Sequence, residues 1–274
     1  MPIVTLTTDW GTSDFYVAAL KGCILSMCPH VQVVDISHEV SHLDNAVQGA
    51  YKLRSAYPYF PEGSVHVVGV DSEAYPGEPF IATESGRQLF ICKNNGFLSL
   101  MLDSLNSVTA IEQPAEKIAG FNMLRVVPPA IKKLLQGAPV GSLGEAVAPR
   151  TFTPPQPVVR FRSKEEAVGQ GAKPCVSKIV GHVLYIDKYG NAITNITREL
   201  FYDSAQGRPY DIIISSERYK LSQVSSTYAD AGSGMPVAFF NSQELLEIAV
   251  SYGNASHLYR LSNASSIIII FQDK

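Results

Sequence analysis

The 274-residue chain is 46% hydrophobic and 17% charged, a globular balance far from the disordered range, and it has length enough for one large domain or two ordinary ones. Its formal net charge of −3 provides no overall basic field for nucleic acid or an anionic membrane. No apolar run approaches the ~18 residues of a membrane helix, and the opening MPIVTLTTDW has no basic stretch and is not expected to be a secretory leader. Cys23, Cys28, Cys92 and Cys175 show no zinc-like or CxxC spacing, so free thiols in a cytoplasmic protein are expected.

Residues 3–8 (IVTLTT) predict a strand. Residues 14–28 carry apolar groups at helical spacing, begin on Asp14, which is suited to capping, and stop before Pro29. VQVVDI (31–36) predicts a second strand, 43–57 a second helix, and SVHVVGV (64–70) a third strand that runs into Asp71. A hairpin-like pair around 80–92, a helix near 96–105, a short strand at 108–112 and a helix near 129–136 follow. Strands alternating with helices in this way imply an α/β domain over residues 1–147, a mostly parallel sheet with helices on both faces. The segment 148–157 (APRTFTPPQP) predicts a proline-rich linker. Beyond it, β-like runs at 178–186, 192–196, 210–214, 235–240, 245–250 and 266–271 are separated by turn signals. They predict an all-β, barrel-like domain over 158–274.

In open parallel sheets, ligands gather beyond the carboxyl ends of the strands. Asp9 and Asp71 stand at two such ends. Either acid is also explained as a cap on a turn through backbone N–H groups, and the pair does not name a ligand. GxxxxGK[ST], GxGxxG and GxSxG motifs are all absent. His38 and His42 have i,i+4 spacing but lie in a connecting stretch without an acid partner in phase, so a solvated loop outranks a zinc site. YIDKYGNAITNI (185–196) gathers Asp187, Tyr189 and Asn191 around a glycine turn. They offer a cation partner, a stacking face and an amide for a heterocycle edge, although a plain β-hairpin accounts for the same residues.

Several stretches taken together go further. TLTTDWGTSDFYVAALKG, VVDISHEV, YFPEGSVHVVGVD and NNGFLS, followed by YIDKYGNAITNI, TYADAG and LLEIAVSYGNAS, resemble the S-adenosylmethionine hydroxide adenosyltransferases (S-adenosylmethionine hydrolases), relatives of fluorinase and chlorinase. The resemblance implies an α/β N-terminal domain, a β-barrel C-terminal domain and a homotrimer. A small-molecule adenosyl ligand would lie between one subunit's N-terminal domain and its neighbour's C-terminal domain, with no cofactor beyond that ligand and no metal. It implies that Asp9 grips the ribose hydroxyls, Asp187 meets the methionine ammonium and Tyr189 stacks on adenine in place of a phenylalanine. Asn191 would read the adenine edge and Ser242 would hold the methionine carboxylate, beside Gln243 where fluorinase has an arginine.

Asp71 matches the acid of an Asp–Arg–His set that acts on water. Here the chain departs from the pattern, with Glu78 near the arginine's place and Asn122 in the histidine's. Glu78 is therefore expected to bring a like charge toward Asp71 and raise a carboxyl pKa. Asn122 would orient water by hydrogen bonding alone, and Arg125 could enter from the next position. Three readings stay open: hydrolysis of S-adenosylmethionine to adenosine and methionine by displacement at C5′, binding of an adenosyl ligand without turnover, and displacement by halide. Halide ranks last because Glu73 and Glu78 border the anion path.

Overall fold

A computed structural model describes residues 1–40, 45–105, 107–113, 120–162 and 175–272. The chain divides into two units, Met1–Pro154 and Pro155–Lys274. The first contains β1 (Ile3–Thr8), α1 (Tyr16–Met27), β2 (Gln32–Ser37), α2 (Asn45–Ala56), β3 (Val65–Gly69), β4 (Phe80–Ser85) and β5 (Gln88–Lys93). It continues with α3 (Phe97–Met101), β6 (Val108–Ala110), α4 (Met123–Leu135) and β7 (Ala146–Val147). Its sheet has the order β2-β1-β3-β5-β4-β6-β7. The first four strands in that order pair in parallel and the remaining pairings are antiparallel. This is the α/β class the pattern implied, with the parallel half at one side.

Period-two alternation decides which side chains cover each face. Val4, Leu6, Val65 and Val67 join a core with Leu20 and Ile24 of α1 and with Val127, Ile131 and Leu134 of α4. Val68, Val70, Phe90 and Cys92 join a second core with Leu53 of α2 and with Phe97 and Met101 of α3. Helices therefore cover both faces.

Three helix boundaries differ from expectation. Asp14 does not cap α1, whose N-cap position is Phe15 with no side-chain hydrogen bond. The helix expected at 96–105 ends at Met101, where Leu102 turns extended. The helix expected near 129–136 begins at Met123 and holds Pro128 and Pro129 inside it. A proline in a helix interior costs roughly 3 kcal/mol; burial of Val126, Val127, Ala130 and Ile131 offsets that cost, and propensity alone hid the first turns.

The second unit contains β8 (Val158–Phe161), β9 (Val176–Ile186), β10 (Ala192–Thr197), α5 (Arg198–Ala205), β11 (Tyr210–Ile213) and β12 (Lys220–Leu221). β13 (Pro236–Phe240), β14 (Leu245–Val250), α6 (Ala255–Tyr259) and β15 (Ser266–Phe271) complete it. Its antiparallel sheet runs β12-β11-β15-β9-β10-β14-β13, with β8 paired on β9. The Ser225 N–H donates to the Ala238 carbonyl at 2.7 Å, drawing the two ends of that path together into a nearly closed barrel. Phe201, Phe240, Phe271, Ile267 and Ile269 fill its interior. α5 was not foreseen, although Thr197 caps it by accepting the Leu200 N–H at 3.1 Å. Among the described residues no helix is long and apolar enough to cross a membrane.

Candidate active site

Three neighbouring parallel strands deliver three charges to one end of the first unit's sheet. β1 ends just before Asp9, β3 ends at Gly69 with only Val70 between it and Asp71, and β5 ends on Lys93. The pairings Thr8↔Gly69 and Val67↔Ile91 keep those ends level. Gly69 also makes room for an aromatic wall, because a Cβ there would meet the Trp10 ring at 2.4 Å. Trp10 and Tyr16 both pack edge-on against Phe121, with ring centroids 4.9 and 5.2 Å apart. These aromatics, with Asp9, Asp71, Ser72 and Glu73, line a cleft of about 490 Å³.

Within the cleft the acids are coupled. Asp9 Oδ2 accepts the Asp71 backbone N–H at 3.0 Å. Asp71 has φ +45°, a left-handed conformation that Asp and Asn tolerate better than most residues. Its side chain is 58% exposed. Oδ2 accepts from Lys93 Nζ at 3.2 Å, and Oδ1 has no partner among the described residues. A carboxylate with one oxygen held and the other open to a cleft can accept a proton or orient a water molecule.

Glu78 does not take the role expected of it. It is absent from the cleft lining, and Lys93 Nζ stands 3.0 Å from its Oε2 while Arg150 Nη1 stands 2.6 Å from its Oε1. Hydrogen bonds from Lys93 and Tyr75, with the charges of Lys93 and Arg150, hold the Glu78 carboxyl below its ordinary range. The expected like-charge rise is thus overturned, because a cation sits between the two acids. Burial pulls the Lys93 ammonium toward neutrality, but its bonds to Glu78 and Asp71 outweigh that and raise its pKa.

Asn122 is buried, and its Nδ2 donates to the Ala74 carbonyl at 2.7 Å. It braces the loop after Asp71 and does not line the cleft. Arg125 is exposed and lines a separate cleft with Glu112 and Lys133, so it does not enter this one. His38 is buried, with Nδ1 2.8 Å from Thr8 Oγ1 and Nε2 3.0 Å from Asp35 Oδ1; His42 lies outside the described residues.

The second unit holds its own cleft, of about 460 Å³, lined by Tyr189, Asn191, Tyr228, Ala229 and the turn Val250–Gly253. Asp187 builds the turn that presents the first two. Its Oδ1 accepts the N–H groups of Tyr189 and Asn191 at 2.9 and 2.8 Å, and its Oδ2 accepts from Asn191 Nδ2 at 3.0 Å. Tyr189 is 75% exposed and Tyr252 is 96% exposed, so both offer aromatic surface at the cleft. Asn191 is buried, and its Oδ1 accepts no hydrogen bond among the described residues, leaving an acceptor for an amino group.

Behind Asn191 lies a network that sequence reasoning missed. Tyr228 Oη donates to Glu247 Oε1 at 2.6 Å and lies 3.3 Å from Asn191 Nδ2. Asn241 Nδ2 donates to Glu247 Oε2 at 3.1 Å. Burial pushes the Glu247 carboxyl above its usual range, partly countered by the bonds from Tyr228 and Asn241. Thr227 and Asp230 form a capping box around the turn that carries Tyr228, a signal legible in "TYAD". Ser242 is exposed on the loop between β13 and β14, next to Asn241, and is not part of the cleft lining.

Comparison with known proteins follows this division. The sequence matches the models of the SAM hydroxide adenosyltransferase N-terminal domain over residues 4–144 and C-terminal domain over residues 181–268. It is 28% identical over 280 residues to the (R)-S-adenosyl-L-methionine hydrolase of Thermus thermophilus, covering 97% of this chain and 99% of that protein. It is 28% identical over 303 residues to the fluorinase of Actinopolyspora mzabensis, covering 97% and 96% of the two chains. The fold is similar to the crystal structure of an uncharacterized conserved protein from Thermotoga maritima, with a TM-score of 0.78 at 23% identity over 98% of this chain and 100% of that one.

Proposed function

The chain belongs to the SAM hydroxide adenosyltransferase family, and from that membership we propose that it hydrolyses S-adenosylmethionine to adenosine and methionine. The observation that carries the reading is Asp71, a carboxylate with one oxygen fixed by Lys93 and the other open to a cleft that also holds Asp9. Water attacks the ribose C5′ as the C5′–S bond breaks. The electron pair of that bond leaves on sulfur, giving the neutral thioether of methionine, and the water proton passes to Asp71 and on to solvent. The sulfonium is already an activated leaving group, so the reaction asks the protein mainly to position and partly desolvate the water. No cofactor or metal is invoked.

Asp9 would accept from the ribose hydroxyls through lone pairs left free by the Asp71 N–H. Tyr189 would stack on adenine, and Asn191 Oδ1 would accept from its amino group. Asp187 would act first as the support of that turn, with its remaining lone pairs facing the methionine ammonium, and Ser242 would hold the methionine carboxylate. Assembly as a homotrimer belongs to the same proposal, supported by family resemblance; light scattering at three times the chain mass tests it.

Incubation with S-adenosylmethionine followed by chromatography decides the main reading. Adenosine must form above the level given by an Asp71→Ala control, and equal amounts would refute it. A second reading, binding without turnover, draws on the place of Asn122, which is buried with its Nδ2 donating to the Ala74 carbonyl and does not line the cleft beside Asp71. Calorimetric binding of S-adenosylmethionine without adenosine would favour that alternative.

A further inference from the structure

The charged cluster behind Asp71 has an arrangement that the proposed reaction does not by itself require. Lys93 is a lysine with a side chain only 5% exposed, and a buried cation of this kind persists only when it is paired and hydrogen-bonded. The hairpin of β4 and β5 provides the pairing, because the register Phe80↔Lys93 brings Glu78, two residues before Phe80, alongside the ammonium. Lys93 thereby holds two carboxylates at once, Asp71 on the cleft side and Glu78 away from it, at 3.2 and 3.0 Å. Arg150 secures Glu78 from its other oxygen and donates to the Gly77 carbonyl at 3.1 Å.

We propose that Lys93 is the positioning residue of the reacting centre, orienting the Asp71 carboxylate toward water, with Glu78 as its permanent counter-ion. The inference rests on the hydrolase reading. The two acids differ in what they are free to do. Glu78 has both oxygens engaged by cations, whereas Asp71 has one oxygen engaged and one open. When Asp71 takes the water proton its charge is lost, and a lysine paired with Asp71 alone would be left buried and unpaired. Glu78 keeps Lys93 paired through that step, so the cluster tolerates the change of charge on Asp71. Lys93 is not among the residues lining the cleft, and its effect reaches the nucleophile through Asp71 alone.

The test is steady-state hydrolysis by Lys93→Met, Lys93→Arg and the double variant Lys93→Met/Glu78→Gln, with thermal melting of each. The double variant removes cation and counter-ion together and leaves no unpaired buried charge, so it serves if the single Met variant fails to fold. Loss of a preorganised charged partner predicts a fall in kcat of roughly 10²-fold for the Met variants with KM changed by less than about twofold. Lys93→Arg is expected to recover kcat to within about tenfold of the wild type, because it keeps the charge. A folded Met variant with wild-type kcat, a loss confined to KM, or an Arg variant no better than Met would overturn the assignment while leaving hydrolysis intact. A wild-type protein that forms no adenosine would overturn the hydrolase reading, and this assignment with it.

Discussion

Asp9 Oδ2 accepts the backbone N–H of Asp71 at 3.0 Å, so the acids that end two adjacent parallel strands act as one geometric unit. On the proposed reading, a change at Asp9 reaches Asp71 as well as the ribose. Hydrogen bonds to charged groups contribute about 1.5–3 kcal/mol. Asp9→Ala is expected to raise KM by roughly 10- to 100-fold and to lower kcat as well, since Asp71 loses its backbone anchor. An effect on KM alone in steady-state kinetics would show that the two acids are independent.

Asp71 invites a cleaner substitution than its strand neighbours do. Its φ of +45° suits Asn, so Asp71→Asn removes the proposed base while keeping the backbone. A general base typically contributes ~10²–10⁴-fold, and kcat should fall by that order with calorimetric affinity for S-adenosylmethionine little changed. Retention of more than about a tenth of the wild-type kcat would exclude Asp71 as the base.

Tyr189 presents a ring that is 75% exposed at the second cleft. Aromatic stacking adds about 0.5–1.5 kcal/mol, so Tyr189→Ala should weaken adenosine binding by roughly 2- to 10-fold. Tyr189→Phe should bind as the wild type does. If both variants lose affinity equally, the hydroxyl is the contact and the ring is not.

Glu247 makes a prediction about pH. Its carboxyl is raised by burial, so the folded state binds this proton more tightly than the unfolded chain does. The resulting stabilisation is complete below the ordinary glutamate pKa and is lost as pH rises through the higher folded value. Urea midpoints of wild type and Glu247→Gln, compared from about pH 4 to about pH 8, should converge or cross in favour of the variant as pH rises. Parallel curves across that range would mean that Glu247 does not titrate there.

The strand–helix alternation, the two-part division and the acids at positions 9 and 71 were all legible because each is a local pattern. The Lys93–Glu78 pair was not, because fifteen positions separate its members and only the β4–β5 register brings them together. Reading Glu78 against Asp71 along the loop alone gave a repulsion that the neighbouring strand cancels. The Glu247–Tyr228–Asn191 network was hidden for the same reason, its members coming from β14, a short turn and the start of the β10 hairpin. Pro128 and Pro129 concealed the start of α4, since local propensity carries no information about the core that holds them.

The turn before β10 has a consequence for how a base would be received. Gly190 has φ +84°, and the side chain of Asn254 fills the space where a Cβ would stand, at 2.2 Å. The Gly190 carbonyl accepts the Ser256 N–H of α6 at 2.8 Å, and the Asn254 side chain accepts the His257 N–H at 2.8 Å. The turn is thus clasped by the first residues of a helix before any ligand arrives. Its ordering cost is met during folding, so capture of a planar heterocycle needs little further loss of backbone freedom and should be quick and nearly rigid-body.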